Sequence, residues 1–301
     1  MISYKCKECG AEMVVHSNGD IVCPYCGAKE NFSDAELREY KRLRWNVLEY
    51  LRSCADSDPD PAKTDRVWDN ASRLTLKSAA GEDVVIEYLY EAEQDGIKMY
   101  CARNSVIYIF PKIMGDLTRK IVEGLSLLDY PQADVRNLSK CFPQYNTTIA
   151  LESGETFVAL FKPADFYPLS MFGALEKEHV AWIISRLENI CCVLQYSDIT
   201  HGDIKPDSIC INPRTHEAML FGQWWNVKKG ISSSLLSPNK DLTDVRATAR
   251  KILGFERGEL PKDFEKFLNE KPREDAYTDF ANWDKVIETA FGGRRFTKME
   301  F

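Results

Sequence analysis

Four of the ten cysteines form two Cys-x-x-Cys pairs near the start of the chain. They are Cys6, Cys9, Cys23 and Cys26. Four thiolates at this spacing suit tetrahedral Zn²⁺, and a complete Cys₄ set leaves no open position for catalysis. A redox dithiol and an iron site are the alternatives, but the occurrence of two such pairs favours zinc. We therefore predict a structural zinc site that folds a segment too small to have its own core.

A second set of chemically useful side chains lies in ITHGDIKPDSICI, residues 199–211. His201, Asp203 and Lys205 alternate there, and Pro206 follows. A carboxylate can accept a proton, and an ammonium can neutralise negative charge. The spacing alone is weak evidence, because such a triplet also arises by chance. The elements that position it therefore decide its meaning.

The preceding segment, EKEHVAWIISRLENICCVLQYSD, predicts a long helix. Its apolar residues share one helical face. They are Val180, Ile183, Ile184, Leu187, Ile190, Cys191 and Leu194. The loop comes directly after this helix, and SICINPRTHEAMLFGQWW after the loop predicts a short β-hairpin. Three or so further helices are expected before the C terminus.

Residues 70–168 are rich in β-branched and aromatic residues between turn signals, which indicates strands. The predicted strand segments are SRLTLKS, DVVIEYLYEAE, GIKMYCAR, SVIYIF, TTIALES and ETFVALFK. A helix is predicted in GDLTRKIVEGLSLLDY, between the fourth and fifth of these. Further upstream, Ser33 and Glu36 form a capping box that begins a helix over about 34–54, and ADSDPDPAK follows as an acidic linker.

This order of elements resembles the protein kinase fold, and His201, Asp203, Lys205 and Pro206 carry the resemblance most specifically. It implies an α+β, bilobal fold with a five-stranded N-lobe over 70–168 and a helical C-lobe over 169–301. Asp244 would brace the backbone of the catalytic loop.

The first 30 residues resemble a zinc ribbon, with two strands joined by a turn at 17–20. Residues 31–69 then form the helix and linker. Together, the ribbon and the HGDIKPDSICINPRTHEAMLFG hairpin resemble a group of bacterial kinase-like proteins.

The resemblance assigns Asp203 to the catalytic base and Lys205 to the phosphate-stabilising lysine. The metal-binding asparagine should lie five residues after Asp203, where Ser208 stands. Asp207, one residue earlier, is the remaining candidate for a metal ligand. The aspartate of D-F-G falls on Leu220 or, by hairpin length, on Gly222, and no carboxylate occurs between residues 218 and 237.

The N-lobe departs from the kinase pattern as well. The turn between the first two strands, SAAGEDVV, has one glycine where a phosphate-binding loop has three. Lys112 lies beyond the end of its strand, too far along the chain for the strand lysine. Alignment on the following helix places Tyr108 or a neighbour in the position of that lysine. Glu123 is the candidate for the helix glutamate, and an exposed helix charge is the competing interpretation.

These departures favour a pseudokinase: a protein-binding or regulatory module whose ribbon contacts a partner protein. ATP and Mg²⁺ are expected to bind poorly. The alternative is an atypical ATP-dependent phosphotransferase that uses Asp203, with Asp207 as an unusual metal ligand. Trp224 and Trp225 are predicted to pack in the core, although exposed tryptophans would suit an interface.

Composition limits the remaining possibilities. The net charge of −7 and the absence of a basic patch in residues 1–30 disfavour nucleic acid as a partner. No apolar run approaches the ~20 residues needed to span a bilayer. The start MISYKCKECGAEM has no signal-peptide core, so we expect a cytoplasmic protein without membrane contact. The six other cysteines are expected to be small buried apolar residues.

Overall fold

The computed structural model describes most of the chain after residue 70. The described ranges are 71–131, 135–230, 240–253 and 260–295, with residues 4–5, 12–15, 21–23, 26, 28–30, 67–69, 297 and 299. The chain forms two compact units: Met1–Asp58 with Tyr130–Ser139, and Pro59–Asp129 with Lys140–Phe301. The predicted helix over 34–54 lies outside the described residues.

The first unit contains a small antiparallel sheet. Its strands, in sheet order, are β1 (Tyr4–Lys5), β2 (Glu12–Val15), β3 (Ile21–Val22) and β4 (Lys29–Glu30). Val15 pairs with Ile21, so β2 and β3 form a hairpin across the turn expected at residues 17–20.

The second unit begins with a six-stranded antiparallel sheet in the order β5-β6-β7-β8-β10-β9. The strands are β5 (Ser72–Lys77), β6 (Asp83–Gln94), β7 (Ile97–Ala102), β8 (Ser105–Phe110), β9 (Gln144–Ala150) and β10 (Thr156–Phe161). Each of the six segments predicted from sequence is a strand. The sheet has one strand more than the expected five, because β5 precedes the kinase-like set.

The central strands of this sheet are covered on both faces, whereas β5, β6 and β9 carry exposed residues. One face carries a cluster that includes Ile86, Tyr100, Ile107 and Phe157. Val106–Phe110 of β8 is buried throughout, so the strand has apolar neighbours on both sides and reads as a continuous apolar run. Successive side chains of a strand point to opposite faces. The face opposite the cluster therefore carries the alternate residues of the same strands.

Helix α1 (Leu117–Ser126) follows β8. Gly124 of this helix lies against the backbone carbonyl of Trp224 so closely that no side chain fits there. The absence of a side chain thus lets α1 pack directly on the turn Trp224–Asn226.

The helical lobe is built around α3. Its helices are α3 (Lys177–Tyr196), α4 (Lys240–Ile252), α5 (Lys262–Asn269) and α6 (Ala276–Phe291), and α2 (Val135–Leu138) precedes them in the chain. The whole predicted apolar face of α3 is buried, and the helix packs against α4 and α6. The α+β bilobal prediction is confirmed.

Short strands surround the loop after α3. They are β11 (Tyr167–Pro168), β12 (Ile199–Thr200), β13 (Ile209–Asn212), β14 (Glu217–Leu220) and β15 (Lys228–Lys229). β13 and β14 form the predicted hairpin, with Ile209 opposite Leu220. β12 pairs with β15, and this pairing holds the beginning of the loop that follows α3.

A buried ion triad joins three helices of the lobe. Arg246 of α4 donates to Glu188 of α3 at 2.7 Å and to both carboxylate oxygens of Asp279 of α6. All three side chains are almost completely buried, at 2% exposure or less. The guanidinium also lies over the ring of Phe267, 3.5 Å from its centroid.

Burial, together with the neighbouring Asp279 carboxylate, raises the pKa of Glu188 to about 8. A raised pKa favours the neutral Glu188 carboxyl at pH 7, while Arg246 stays paired with Asp279.

None of the helices in the described ranges is long and apolar enough to cross a membrane.

Candidate functional site

Helix α4 holds the loop at its start. The carboxylate of Asp241 accepts hydrogen bonds from the backbone N–H of His201 at 3.0 Å and of Gly202 at 2.6 Å. Asp241 thus shares the bracing role that the sequence assigned to Asp244. Asp244 lies almost one helical turn further on and accepts from the backbone N–H of Ile204. Periodicity alone did not distinguish the two acids, since both face the loop.

His201 is a structural residue of the loop. It is 2% exposed, and its ring packs edge-on against Trp224 at a centroid distance of 4.8 Å. Burial lowers the pKa of His201 to about 4, so the ring is neutral at pH 7. Trp224 itself is fully buried, as predicted.

The carboxylate of Asp203 is engaged on both oxygens. Oδ1 lies 2.8 Å from the ammonium of Lys205. Oδ2 accepts from the hydroxyl of Ser208 at 2.9 Å and from the backbone N–H of Gln223 at 3.1 Å. The Asp203 side chain is only 11% exposed. The structure thus brings Asp203, Lys205 and Ser208 together, in contact with one another.

Gly222 occupies the position from which a D-F-G aspartate would reach the cleft. A Cβ there would lie 2.6 Å from Oδ2 of Asp203 and 2.9 Å from Cβ of Ser208. Its φ of +83° is also a left-handed conformation, in which side chains are strained. Leu220, the other candidate for this position, is fully buried. The hairpin-length alignment is therefore the one that fits the geometry.

Tyr108 takes the place expected for the strand lysine. It lies at the centre of β8, with Met99 and Val158 as its neighbours in the sheet. Its hydroxyl accepts a hydrogen bond from the backbone N–H of Gly222 at 2.9 Å. Burial raises the pKa of Tyr108, so the hydroxyl stays protonated. A neutral phenol thus stands where a kinase has an ammonium.

These residues line a cavity of about 220 Å³ between the two lobes. The sheet lobe contributes Ala92, Glu93, Gln94, Ile97, Met99 and Tyr108. The helical lobe contributes Asp203, Lys205, Asp207, Ser208, Gly222, Gln223 and Trp225. Three acids against one lysine give the lining a formal charge of −2. The cavity is smaller than the roughly 300–1,000 Å³ of most ligand pockets.

Asp207 links the lobes at the wall of the cavity. Its Oδ1 accepts from the hydroxyl of Tyr90 at 2.5 Å and from the hydroxyl of Ser170. Although partial burial opposes ionisation, the two hydroxyls help to hold the pKa of Asp207 below its ordinary value. Across the cavity, Lys205 donates to the side-chain carbonyl of Gln94. With the hydrogen bond from Gly222 to Tyr108, three polar contacts therefore span the cleft.

The structure does not bring Lys112 or Glu123 to the cavity. Lys112 starts a short 3₁₀ turn beyond the end of β8 and is exposed, with its side chain near Gly154. Glu123 is exposed on α1 and pairs with Arg119 at 3.1 Å, the competing interpretation of this residue. Lys112 lies past the last residue of β8, where the strand no longer directs side chains into the cleft.

The turn that reaches the cavity joins β6 to β7 and includes Asp95 and Gly96. The sequence predicts the turn after β5 in this position, and that prediction is wrong. Because β5 is an additional strand, the match between these strands and those of the kinase fold is displaced by one strand. The actual turn has one glycine, so it too lacks the three glycines of a phosphate-binding loop.

Sequence reasoning missed Lys162, which directly follows β10. Its side chain is completely buried, and its ammonium donates to the backbone carbonyls of Arg103 at 2.8 Å and Pro163 at 3.2 Å. A lysine at the end of a predicted strand is normally exposed, so the sequence carried no signal for this burial.

In the kinase fold a three-strand meander is followed by a helix, two strands, a long helix, the catalytic loop and a hairpin. Here β6-β7-β8, α1, β9-β10, α3, the 199–208 loop and β13-β14 follow one another in that order. The chain has a protein kinase-like fold.

Comparison with solved structures found kinases. The rhoptry antigen kinase domain of Toxoplasma gondii is 10% identical, with 79% of this chain and 92% of that chain covered and a TM-score of 0.47. WbdD is 13% identical at a TM-score of 0.46, with 71% of this chain covered. The Cydia pomonella granulovirus kinase PK-1 is 13% identical, with 68% of this chain and 93% of that chain covered and a TM-score of 0.40.

The chain spans about half the length of WbdD, with 49% of that protein covered. No protein-family model matches the sequence, and the search of curated proteins found no match. At these identities the solved structures say nothing about activity or substrate.

Two of the four predicted zinc ligands are described. Cys23 is buried directly after β3, and its N–H donates to the carbonyl of Ala28 at 2.9 Å, which closes the turn that contains Cys26. Cys6 and Cys9 lie outside the described residues. The zinc site therefore stays a prediction, and no cluster of three or more ligand side chains occurs elsewhere in the described ranges.

Proposed function

We propose that this chain is a pseudokinase, a kinase-like module that regulates or binds another protein and does not transfer phosphate. The replacement of the D-F-G aspartate by Gly222 carries the proposal. A carboxylate at this position would hold the magnesium ion that neutralises the transferred phosphate. A Cβ at Gly222 would meet Asp203 and Ser208, so these two side chains occupy the space that such a carboxylate would need.

The charges around the cavity support the same conclusion. A nucleoside triphosphate would meet three carboxylates and one ammonium, and that ammonium is already paired with Asp203. Tyr108 supplies no positive charge in place of the strand lysine. Preorganised positive charge is the main source of catalysis in phosphate transfer, and the cavity lacks it.

Thermal unfolding with ATP tests the proposal. A ligand at 100 times its Kd adds about 2.7 kcal/mol to the free energy of unfolding. We expect no such shift with millimolar ATP, whether Mg²⁺ or EDTA is present. The Asp203→Ala variant serves as the matched control. A large Mg²⁺-dependent rise in Tm for the wild-type chain would refute the pseudokinase proposal.

The alternative, an atypical phosphotransferase, has one observation in its favour. Oδ2 of Asp207 accepts no hydrogen bond from the described residues, so it is available to a metal ion at the cavity wall. This function predicts transfer of radiolabel from ATP that disappears in Asp203→Ala. Absence of transfer to the chain itself and to proteins of the source cell would count against it.

The partner is proposed to be a protein that contacts the N-terminal zinc ribbon. Zn²⁺ on the four cysteines would supply the folding energy of residues 1–30 and no catalytic step. Affinity capture from the source cell, with a variant that lacks residues 1–30 as control, tests this. We expect a partner that the full chain retains and the shortened chain loses.

A further inference from the structure

The phenol of Tyr108 carries a hydrogen-bond donor that no described residue accepts. Tyr108 is 3% exposed, and its hydroxyl oxygen accepts from the backbone N–H of Gly222 at 2.9 Å. Within the part of the chain that the structure describes, no oxygen takes the hydroxyl proton in return. A buried donor without an acceptor costs free energy. The hydroxyl is therefore suited to an acceptor that comes from a ligand.

This donor lies at the wall of the cavity between the lobes. Tyr108 and Gly222 both line the cavity, so the hydroxyl that joins them lies at its surface. Trp225 packs edge-on against the Tyr108 ring at a centroid distance of 5.4 Å and against Phe110 at 5.0 Å. These contacts hold the phenol in position before a ligand binds, which lowers the entropic cost of binding.

A carboxylate oxygen of the helical lobe is also unused. Oδ1 of Asp207 accepts from the hydroxyls of Tyr90 and Ser170, whereas Oδ2 accepts from no residue of the described ranges. Asp207 is half-buried and lines the same cavity. Hydrogen bonds between a carboxylate and a cationic donor are about twice as strong as those between neutral groups. Oδ2 of Asp207 therefore favours an ammonium or a guanidinium.

The charges of the lining favour a cation as well. Lys205, the one lining residue with a positive charge, is paired with Asp203 at 2.8 Å. Asp207 and Glu93, the other two lining acids, have no ion-pair partner among the described residues. They would repel a phosphate or a carboxylate and attract an organic cation.

The remaining lining is apolar, and the cavity is small. Ala92, Ile97, Met99 and Trp225 supply the apolar wall. Tryptophan is the side chain whose ring attracts a cation most strongly. At roughly 30 Å³ for each water molecule, the volume of about 220 Å³ corresponds to about seven waters. A ligand about the size of a single amino acid fits this space, whereas a nucleoside triphosphate is much larger.

We propose that the cavity binds a small organic cation that also carries a neutral hydrogen-bond acceptor and a short apolar group. Oδ2 of Asp207 binds the cationic group, and the hydroxyl of Tyr108 donates to the acceptor. The apolar group lies against Met99 and Trp225. This assignment rests on the proposed function, since an active kinase would use the same cavity for the phosphates of its nucleotide.

Calorimetric titration of the full chain with three related probes tests the proposal. Leucinamide combines an ammonium, an amide carbonyl and an isobutyl group, and at about pH 6.5 its ammonium is charged. We expect it to bind in the millimolar range or more tightly. Isocaproamide lacks only the ammonium and should bind at least about tenfold more weakly. Isoamylamine lacks only the amide and should bind about three- to tenfold more weakly.

Two variants assign these differences to the two side chains. Asp207→Asn should weaken the binding of leucinamide at least about tenfold and leave that of isocaproamide nearly unchanged. Tyr108→Phe should weaken leucinamide about three- to tenfold and leave isoamylamine nearly unchanged. A purely structural effect of either substitution would weaken all three probes alike. Asp263→Asn is the matched control, because Asp263 is exposed on α5 and does not line the cavity; it should change no affinity.

Equal affinities of the three probes for the wild-type chain would overturn the proposal. So would the absence of leucinamide binding at tens of millimolar, or equal affinities of the wild-type chain and both cavity variants for leucinamide. If a variant does not fold, the comparison of the probes on the wild-type chain decides. A Mg²⁺-dependent rise in Tm with ATP would refute the pseudokinase proposal, whereas failure of leucinamide to bind without that rise would refute the ligand assignment alone.

Discussion

Replacement of Arg246 by methionine should be among the most damaging single changes in the helical lobe. Arg246→Met keeps an unbranched apolar side chain over Phe267 and removes the charge that neutralises Asp279. The carboxylate of Asp279 is 0% exposed. Removal of one partner of a buried ion pair costs about 3–5 kcal/mol. Loss of the cation over the aromatic ring adds about 1 kcal/mol.

The expected loss of about 4–6 kcal/mol compares with a total stability of roughly 5–15 kcal/mol for a domain. Urea unfolding at pH 7, followed by tryptophan fluorescence and circular dichroism, measures it. Arg119→Met is the matched control, because Arg119 pairs with Glu123 on the surface of α1. Its loss should stay below about 1 kcal/mol.

A loss below about 1 kcal/mol for Arg246→Met would refute the view that the triad holds the three helices together. Addition of Asp279→Asn and Glu188→Gln to the variant should recover part of the stability, since no charge then remains buried.

Three further predictions concern single residues. Glu188 has a pKa raised to about 8 by burial, so the folded state keeps a proton that the unfolded chain loses above its ordinary value of 4.5. Stability should therefore fall as pH rises from about 4.5 to 8, and Glu188→Gln should remove this slope in urea unfolding; an unchanged slope would contradict the assignment. Gly222→Ala should cost about 2–4 kcal/mol from its left-handed φ and its clash, whereas Gly202→Ala, with similar φ and open space, should cost about 1–2 kcal/mol. Equal losses of stability for the two variants would contradict a contribution from the clash. Cys23→Ser should abolish one bound zinc per chain as measured by elemental analysis, and Cys141→Ser should retain it; zinc retained by both variants would argue against the Cys₄ site.

The positions of strands and helices were largely predictable, because a continuous or alternating apolar pattern fixes the type of element. All six sheet segments and the apolar face of α3 follow from such patterns. The burial of Trp224 and Trp225 was also predicted correctly, and both lie in the core. The hairpin after the loop follows from two short apolar runs around NPRT.

The match between these strands and the strands of the kinase fold was harder to predict. The pattern gives no sign that β5 stands outside the kinase-like set, since β5 and β6 pair as any hairpin does. Because of this additional strand, the position of the phosphate-binding loop was assigned to the turn after β5 and not to the turn between β6 and β7. The part played by Asp241 beside Asp244 was missed for a related reason, because residues three apart on a helix share a face.

Buried polar residues were the least predictable part. Lys162 is buried by tertiary contacts with Arg103 and Trp68, which lie far from it in the sequence. No pattern of neighbouring residues in the sequence indicates such contacts.

The absence of a side chain at Gly124 has a mechanical consequence. Helix α1 rests on the backbone at Trp224, and the next residue, Trp225, forms part of the cavity wall. A ligand that displaced Trp225 would have to move α1 as well. Ile113 and Val122, both exposed around this helix, would move with it. A displacement at the cavity wall would therefore be transmitted through the contact at Gly124 to the outer surface of α1.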